Sequence, residues 1–351
     1  MNYKEVSGTS LLLSCAVIIM GEYTGKIAVS KDTMLFILNE VLENDIKKST
    51  TKENILKMVP EIYEKTEAKE LIKILPYETY LLLEGLIEYV KKSDDILGFD
   101  SKCRELRKVE ELKHLYDMMI LVLNQKGAET TWHVNGNVLE KLERLFSADN
   151  RKIAARYWRM ERLTMGMLYS YGVVDFDFLR KQLSRYMGEI ISEAELDEFY
   201  FKRLNLNYKV TGINVLKEDD KTVKHFVTYL GDEVDLEGLI HEQGSRGFEY
   251  KVFREEDIIG RKEFLWTVPA QRLYNFLNQK ASANEEDFET ILKLNELGID
   301  VLGDVCELVE FSGDKDMDEF RRLFMDWYNN YPQYVLCGYG PMEFGRKMSG
   351  R

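Results

Sequence analysis

Apolar positions recur at helical spacing along most of this chain and give way to alternation in only a few stretches. After Ser30, the run TMLFILNEVLENDIKK places Leu35, Ile37, Leu38, Val41 and Leu42 on one broad face, which predicts an amphipathic helix. Lys48-Ser-Thr-Thr-Lys is a polar break, and Thr51 is placed to cap NILKMVPEIYEK, which Pro60 is expected to bend or end. Tyr77–Lys92 predicts a strongly apolar helix, KSDDILGFDSK a loop, and Val109–Gln125 a further helix stopped by Lys126-Gly127. TTWHVNG then reads as a short strand closing on the tight-turn pair Asn135-Gly136.

The next stretch is richest in signals. Ser147 or Asp149 caps a long helix that Gly172 ends. Asp175 or Asp177 starts DFLRKQLSRYM, and Gly188 ends it. Ser192 and Glu195 form a capping-box pattern before EAELDEFYFKRL. YKVTGINVL and KTVKHFVTYL flank the charged turn KEDDK, which predicts a hairpin. Helices followed by such a hairpin are the order of a winged-helix unit. Farther on, GSRGFEYKVFREEDIIGRKEFLW reads as a linker with an entry helix. ANEEDFETILKLNELGI and MDEFRRLFMDWYNNYP are amphipathic, and the chain closes on YVLCGYGPMEF.

The fold expected is mainly α with small β elements: tandem winged-helix-like units plus N- and C-terminal helical regions. The boundaries read as a helical region over 1–75, an abbreviated winged-helix-like unit over 76–148, a fuller one over 149–243, and a C-terminal helical region with an aromatic tail over 244–351. No repeat of fixed period is present.

Composition fits this picture. Of 351 residues, 45% are hydrophobic and 31% charged, and scarce proline favours helices. The formal net charge of −13 opposes approach to phosphate backbones, so any nucleic-acid contact needs a local basic patch. Cys15, Cys103, Cys306 and Cys337 are widely spaced with no CxxC pair, as expected for reduced thiols. The apolar run SLLLSCAVIIM follows the wrong order for a signal peptide and falls short of the ~20 residues needed to span a bilayer. It reads as a buried helix, and the expectation is a cytoplasmic protein without a membrane partner.

LYSYGVVDFDFLRKQL, FEYKVFREEDIIG and FMDWYNNYPQYVLCGYGPMEF together resemble a widespread group of poorly characterised helical proteins from Firmicutes. Members read "YYGV", then "Y..FTKEEL", then "NN…W..NG.TPNEL". The corresponding tail positions here are Asn329, Asn330, Tyr334, Gly338, Pro341 and Glu343. The resemblance implies a fold and no established reaction. Many relatives close on a cysteine-rich zinc module like that of the bacterial secretion ATPase. Cys337 stands alone here, so an adaptor role tied to that module is not implied.

Candidate chemistry is sparse. His114, His133, His225 and His241 form no HxxxH or HExxH, and no nucleophile elbow, P-loop or dinucleotide loop is present. The chain is therefore read as non-catalytic, with no cofactor or metal expected. For nucleic acid, the candidates are Lys152, Arg156 and Arg159 on one helical face, extended by Arg180, Lys181 and Arg185, with a wing over Lys217–Lys224. The plain alternative is a solvated face. Against groove reading, Glu193, Glu195, Asp197 and Glu198 precede the first base, Lys202, on the helix that would enter the groove. For protein contact, the candidates are the aromatic tail residues Trp327, Tyr328, Tyr331, Tyr334, Tyr339 and Phe344, which otherwise pack against their own domain. The expected role is protein interaction or regulation, and the alternative a nucleic-acid-associated, transcription-type regulator.

Overall fold

The computed structural model describes residues 29–350 apart from 93–96, 106–108, 127–128, 217–222, 246, 248, 282 and 308–313. The apolar run Ser10–Met20 with Cys15, and the charged turn 217–221, lie outside the described residues. Within them the chain is mainly helical with two small antiparallel sheets. It divides into two compact units, Met1–Ala155 and Arg156–Arg351.

In the first unit, α1 (Lys31–Leu35) starts at Ser30, whose hydroxyl accepts from the Thr33 amide at 3.0 Å. A π-helical turn over Phe36–Val41 extends it, and Glu43, at φ 56°, stops it short of the expected Lys48. Thr51 caps α2 (Lys52–Lys65), which buries Ile55, Val59, Ile62 and Tyr63 on one face. Pro60 lies inside α2 without ending it, because that face is anchored on both sides of the proline. α3 (Ala68–Ile74) and α4 (Tyr77–Lys92) follow.

Two further expectations fail in this unit. The presumed loop after Lys92 contains α5 (Leu97–Glu105), held by Phe99 and Cys103, which are buried one turn apart. The presumed helix Val109–Gln125 is only half helical. α6 (Val109–Asp117) stops, Met119 takes φ 57°, and the chain becomes strand β1 (Leu121–Lys126), paired with β2 (Glu129–Val134) from Leu121↔Val134 to Lys126↔Glu129. An apolar run such as MMILVL is compatible with a helix or a buried strand on periodicity alone. The partner strand decides. Gly136, at φ 56°, then turns the chain into α7 (Val138–Leu142).

The division between the units falls inside the helix α8 (Ala148–Tyr171). Gly172, at φ 70°, ends α8 and leads into β3 (Val173–Asp175). The Asp175 carboxylate accepts from the Phe178 amide at 2.9 Å and caps α9 (Phe176–Met187), which Gly188 closes in the left-handed conformation. Ser192 caps α10 (Glu193–Phe199), which runs on through a π-helical turn over Tyr200–Asn205 and a last turn over Leu206–Tyr208. β4 (Thr211–Leu216) and β5 (Val223–Thr228) complete a sheet of order β3-β5-β4, in which Thr228 faces both Val173 and Thr211.

Among the described residues there follow the helices α11 (Leu236–Ser245), α12 (Glu255–Ile258), α13 (Val268–Ala281), α14 (Glu285–Glu296), α15 (Leu302–Glu307), α16 (Asp314–Asn330) and α17 (Pro341–Ser349), with a 3-10 turn over Tyr334–Leu336 before the last. Asn284 and Asp287 form a reciprocal capping box on α14. Trp327, Phe288, Phe320 and Leu277 centre the core that α13, α14 and α16 share. No helix among the described residues is long and apolar enough to cross a membrane.

Candidate functional site

The basic side chains are largely spoken for within their own unit. Arg156 donates to Glu189 at 2.6 Å and reaches Glu195 at 2.7 Å. Arg159 forks onto both Glu255 oxygens at 2.8 and 2.9 Å and also donates to the Tyr186 carbonyl. Arg180 pairs with Asp177 at 3.1 Å, and the exposed pair Lys152–Asp149 lies at the same distance. Arg185 lies over the Tyr186 ring at 5.9 Å, and Lys181 is exposed. Lys224, the described end of the presumed wing, pairs with Asp175 at 3.3 Å. Each bidentate or paired guanidinium has less positive potential to offer a phosphate.

The helix α10 carries the clearer signal. Glu193 and Asp197 are exposed one turn apart, and partial burial followed by the Glu193 charge pushes the Asp197 carboxyl upward. Its bases point the other way. Lys202 is buried and reaches Glu198 at 3.1 Å. Arg203 is 1% exposed and donates through Nε to buried Glu161, which also accepts from the Tyr208 hydroxyl. Nearby, His225 bonds Asn214 at 2.9 Å and meets Phe176 edge-on, and burial lowers its pKa.

Most of the aromatic tail is packed into the core of its own unit, the alternative to protein contact. Trp327 and Tyr331 are 0% exposed, and Tyr334 and Tyr339 are also buried. Tyr328 is half-buried and stacks on Phe324 at 5.8 Å, and half-buried Phe344 packs against Tyr339. Aromatic density suits either role. Here Trp327, Tyr328 and Tyr331 join the core of α13, α14 and α16, Tyr334 packs with Val173, Phe226 and Leu239, and Tyr339 packs with Leu336 and Cys337.

Three sequence-distant motifs meet at Tyr171. Its ring lies 5.0 Å from that of Tyr250 and 5.7 Å from that of Phe253, and a Cβ at Gly338 would stand 3.0 Å from it. Gln243 ties the same place together, donating to the carbonyls of Tyr171 at 3.0 Å and Tyr334 at 2.9 Å. LYSYG, FEYKVF and YVLCGYG therefore share one packing requirement.

Beside this lies a buried polar node that no sequence motif announces. Glu296 is 0% exposed and accepts from Tyr334 at 2.7 Å and Tyr331 at 3.1 Å, with Arg261 Nη2 at 3.4 Å. Gln333 donates to Asn295 at 3.0 Å. Burial pushes the Glu296 carboxyl up to about 7, while Arg261 and the two phenols pull it down. A single Glu in an amphipathic helix or Arg in a connection carries no mark of burial, so only the fold reveals the node.

In the first unit, His114 accepts or donates to Thr79 at 3.1 Å, and burial lowers its pKa to about 4. A mostly apolar cavity of about 100 Å³ is lined by Val29, Met34, Lys52, Leu56, Tyr116 and Leu121 among others. Among the described residues, no group of His, Cys, Asp or Glu side chains is arranged to hold a metal ion. Cys103 and Cys337 are buried and Cys306 is exposed.

Comparison with known family models, curated proteins and solved structures yields no match to this chain.

Proposed function

We propose that this chain is a non-catalytic, cytoplasmic protein-interaction or regulatory protein, in which residues 149–243 act as a winged-helix-like unit that docks protein rather than nucleic acid. The order α8-β3-α9-α10-β4-β5 with sheet order β3-β5-β4 supports the winged-helix-like reading. The helices α4–α6 before the hairpin β1–β2 support an abbreviated counterpart in the first unit.

One observation carries the choice of partner. The helix that would enter a groove exposes Glu193 and Asp197, while its bases Lys202 and Arg203 are buried on carboxylates. Phosphate contacts require exposed cations at such a surface. A protein surface does not. The acidic first turn, Glu193 and Glu195, is also what the dipole of α10 favours at its N-terminus.

The test is a double charge reversal, Glu193→Lys with Asp197→Lys, checked for native helix content. Partner capture from native extract should be lost in this variant and kept in the wild type. Equal capture by both proteins would remove α10 from the docking surface.

A further inference from the structure

The mostly apolar cavity of the first unit runs along a strand edge. Its lining includes Leu121, Val122 and Leu123, three consecutive residues of β1. Side chains alternate across a strand, so all three can line one space only where that space reaches the edge of the strand. β1 pairs with β2 on one side, and among the described residues no strand lies on the other. Among the described residues, no hydrogen bond from outside the hairpin reaches the main chain of these three.

Three features of this space define what it takes. Met34 from α1, Leu56 from α2, Tyr116 from α6 and Met119 from the turn after it give apolar walls, which call for an aliphatic group. A volume of about 100 Å³ holds one branched side chain, given that a cavity of ~150 Å³ takes a benzene ring. The unpaired edge offers main-chain amides and carbonyls at strand spacing. Leu121 is buried and Val122 and Leu123 are half-buried, and backbone groups in such surroundings are almost always hydrogen-bonded. Lys52, in the first turn of α2, adds a cation that forms no ion pair among the described residues. A small apolar molecule leaves the edge and Lys52 unused. An extended peptide uses all three.

We propose that β1 receives an extended segment of a partner protein by strand addition, with one aliphatic side chain in the cavity and a carboxylate of the segment against Lys52. Main-chain hydrogen bonds supply the affinity, and the cavity and the cation supply the selectivity. Charge fixes the chemistry of the occupant, since Lys52 attracts an acidic residue and repels a basic one. The site lies wholly within the first unit, so it stands or falls separately from docking on α10.

The experiment follows amide hydrogen exchange of the full chain across Leu121–Lys126, alone and with acetylated, amidated peptides of alternating Leu and Thr that carry Glu, Gln or Lys at both ends. Without peptide, part of β1 should exchange fast. Slow exchange throughout, or protection that grows with protein concentration, would place this chain or a second copy on the edge and overturn the partner segment. The Glu-bearing peptide should slow the fast amides and bind several-fold tighter than the Lys-bearing one, a difference that shrinks as salt is raised. Lys52→Glu should invert that order. Leu56→Trp, which fills the cavity, should abolish binding of all three peptides with helix content kept, and if it fails to fold the Lys52→Glu inversion decides alone. No slowing of β1 by any peptide, or slowing indifferent to the end charge in both proteins, would overturn strand addition at this site.

Discussion

Tyr334 donates its hydroxyl hydrogen to Glu296 at 2.7 Å, and both side chains are buried. The same phenol meets the Tyr229 hydroxyl, and the Tyr334 carbonyl accepts from Gln243. One tail residue thus joins α14, the exit of β5 and α11. A Cβ on Gly172 would overlap the Tyr334 ring, so the end of α8 and the tail fit together only because position 172 is glycine.

Tyr334→Phe keeps the ring and removes the hydroxyl, leaving a Glu296 oxygen without a donor. The expected loss is about 1–3 kcal/mol of unfolding free energy. Tyr334→Ala removes the ring as well and should cost about 3–5 kcal/mol. Denaturant unfolding followed by tryptophan fluorescence measures both. Equal, negligible losses would mean that the tail is not packed as described.

Arg203 and Glu161 form a second buried pair, sealed by Tyr208. Arg203→Met strands the Glu161 charge and should destabilise the protein by about 3–5 kcal/mol. Combining it with Glu161→Leu should recover most of that loss, because no uncompensated charge remains. Chemical denaturation of both variants checks this. A double variant no better than the single one would place the cost in packing instead of charge.

Much of the second unit was legible in the sequence because its punctuation is explicit. Asp175, Gly188 and Ser192 each cap or close a helix where their residue type predicts. The first unit was less legible. Val109–Gln125 carries an apolar run that suits helix or strand, and only pairing with Thr130–Val134 resolves it. Helices α11 and α13 lie in stretches to which the sequence pattern assigns no element, although Asp235 and Thr267 accept from backbone amides at their starts. The candidate sites were the least legible. Trp327 and Tyr331 have the composition of an interface and the burial of a core, and Arg156 and Arg159 have the spacing of a basic face but partners in Glu189, Glu195 and Glu255.

His114 gives the first unit a pH response of its own. Its imidazole is held neutral by burial, with a folded pKa lowered from 6.5 to about 4. The unfolded chain therefore binds the proton first. Stability from this residue is present above 6.5 and is lost as pH falls toward about 4. His114→Leu should flatten the acid limb of a stability–pH curve over that window. An acid limb as steep as that of the wild type would show that other groups set it.

The claim that the winged-helix-like unit docks protein is tested most directly by fluorescence anisotropy against mixed-sequence duplex and single-stranded DNA and RNA at low salt. The expected result is no binding, because the exposed face of α10 is acidic and the neighbouring arginines are paired. Binding that falls steeply as salt is raised would reveal phosphate neutralisation by a basic patch and contradict it.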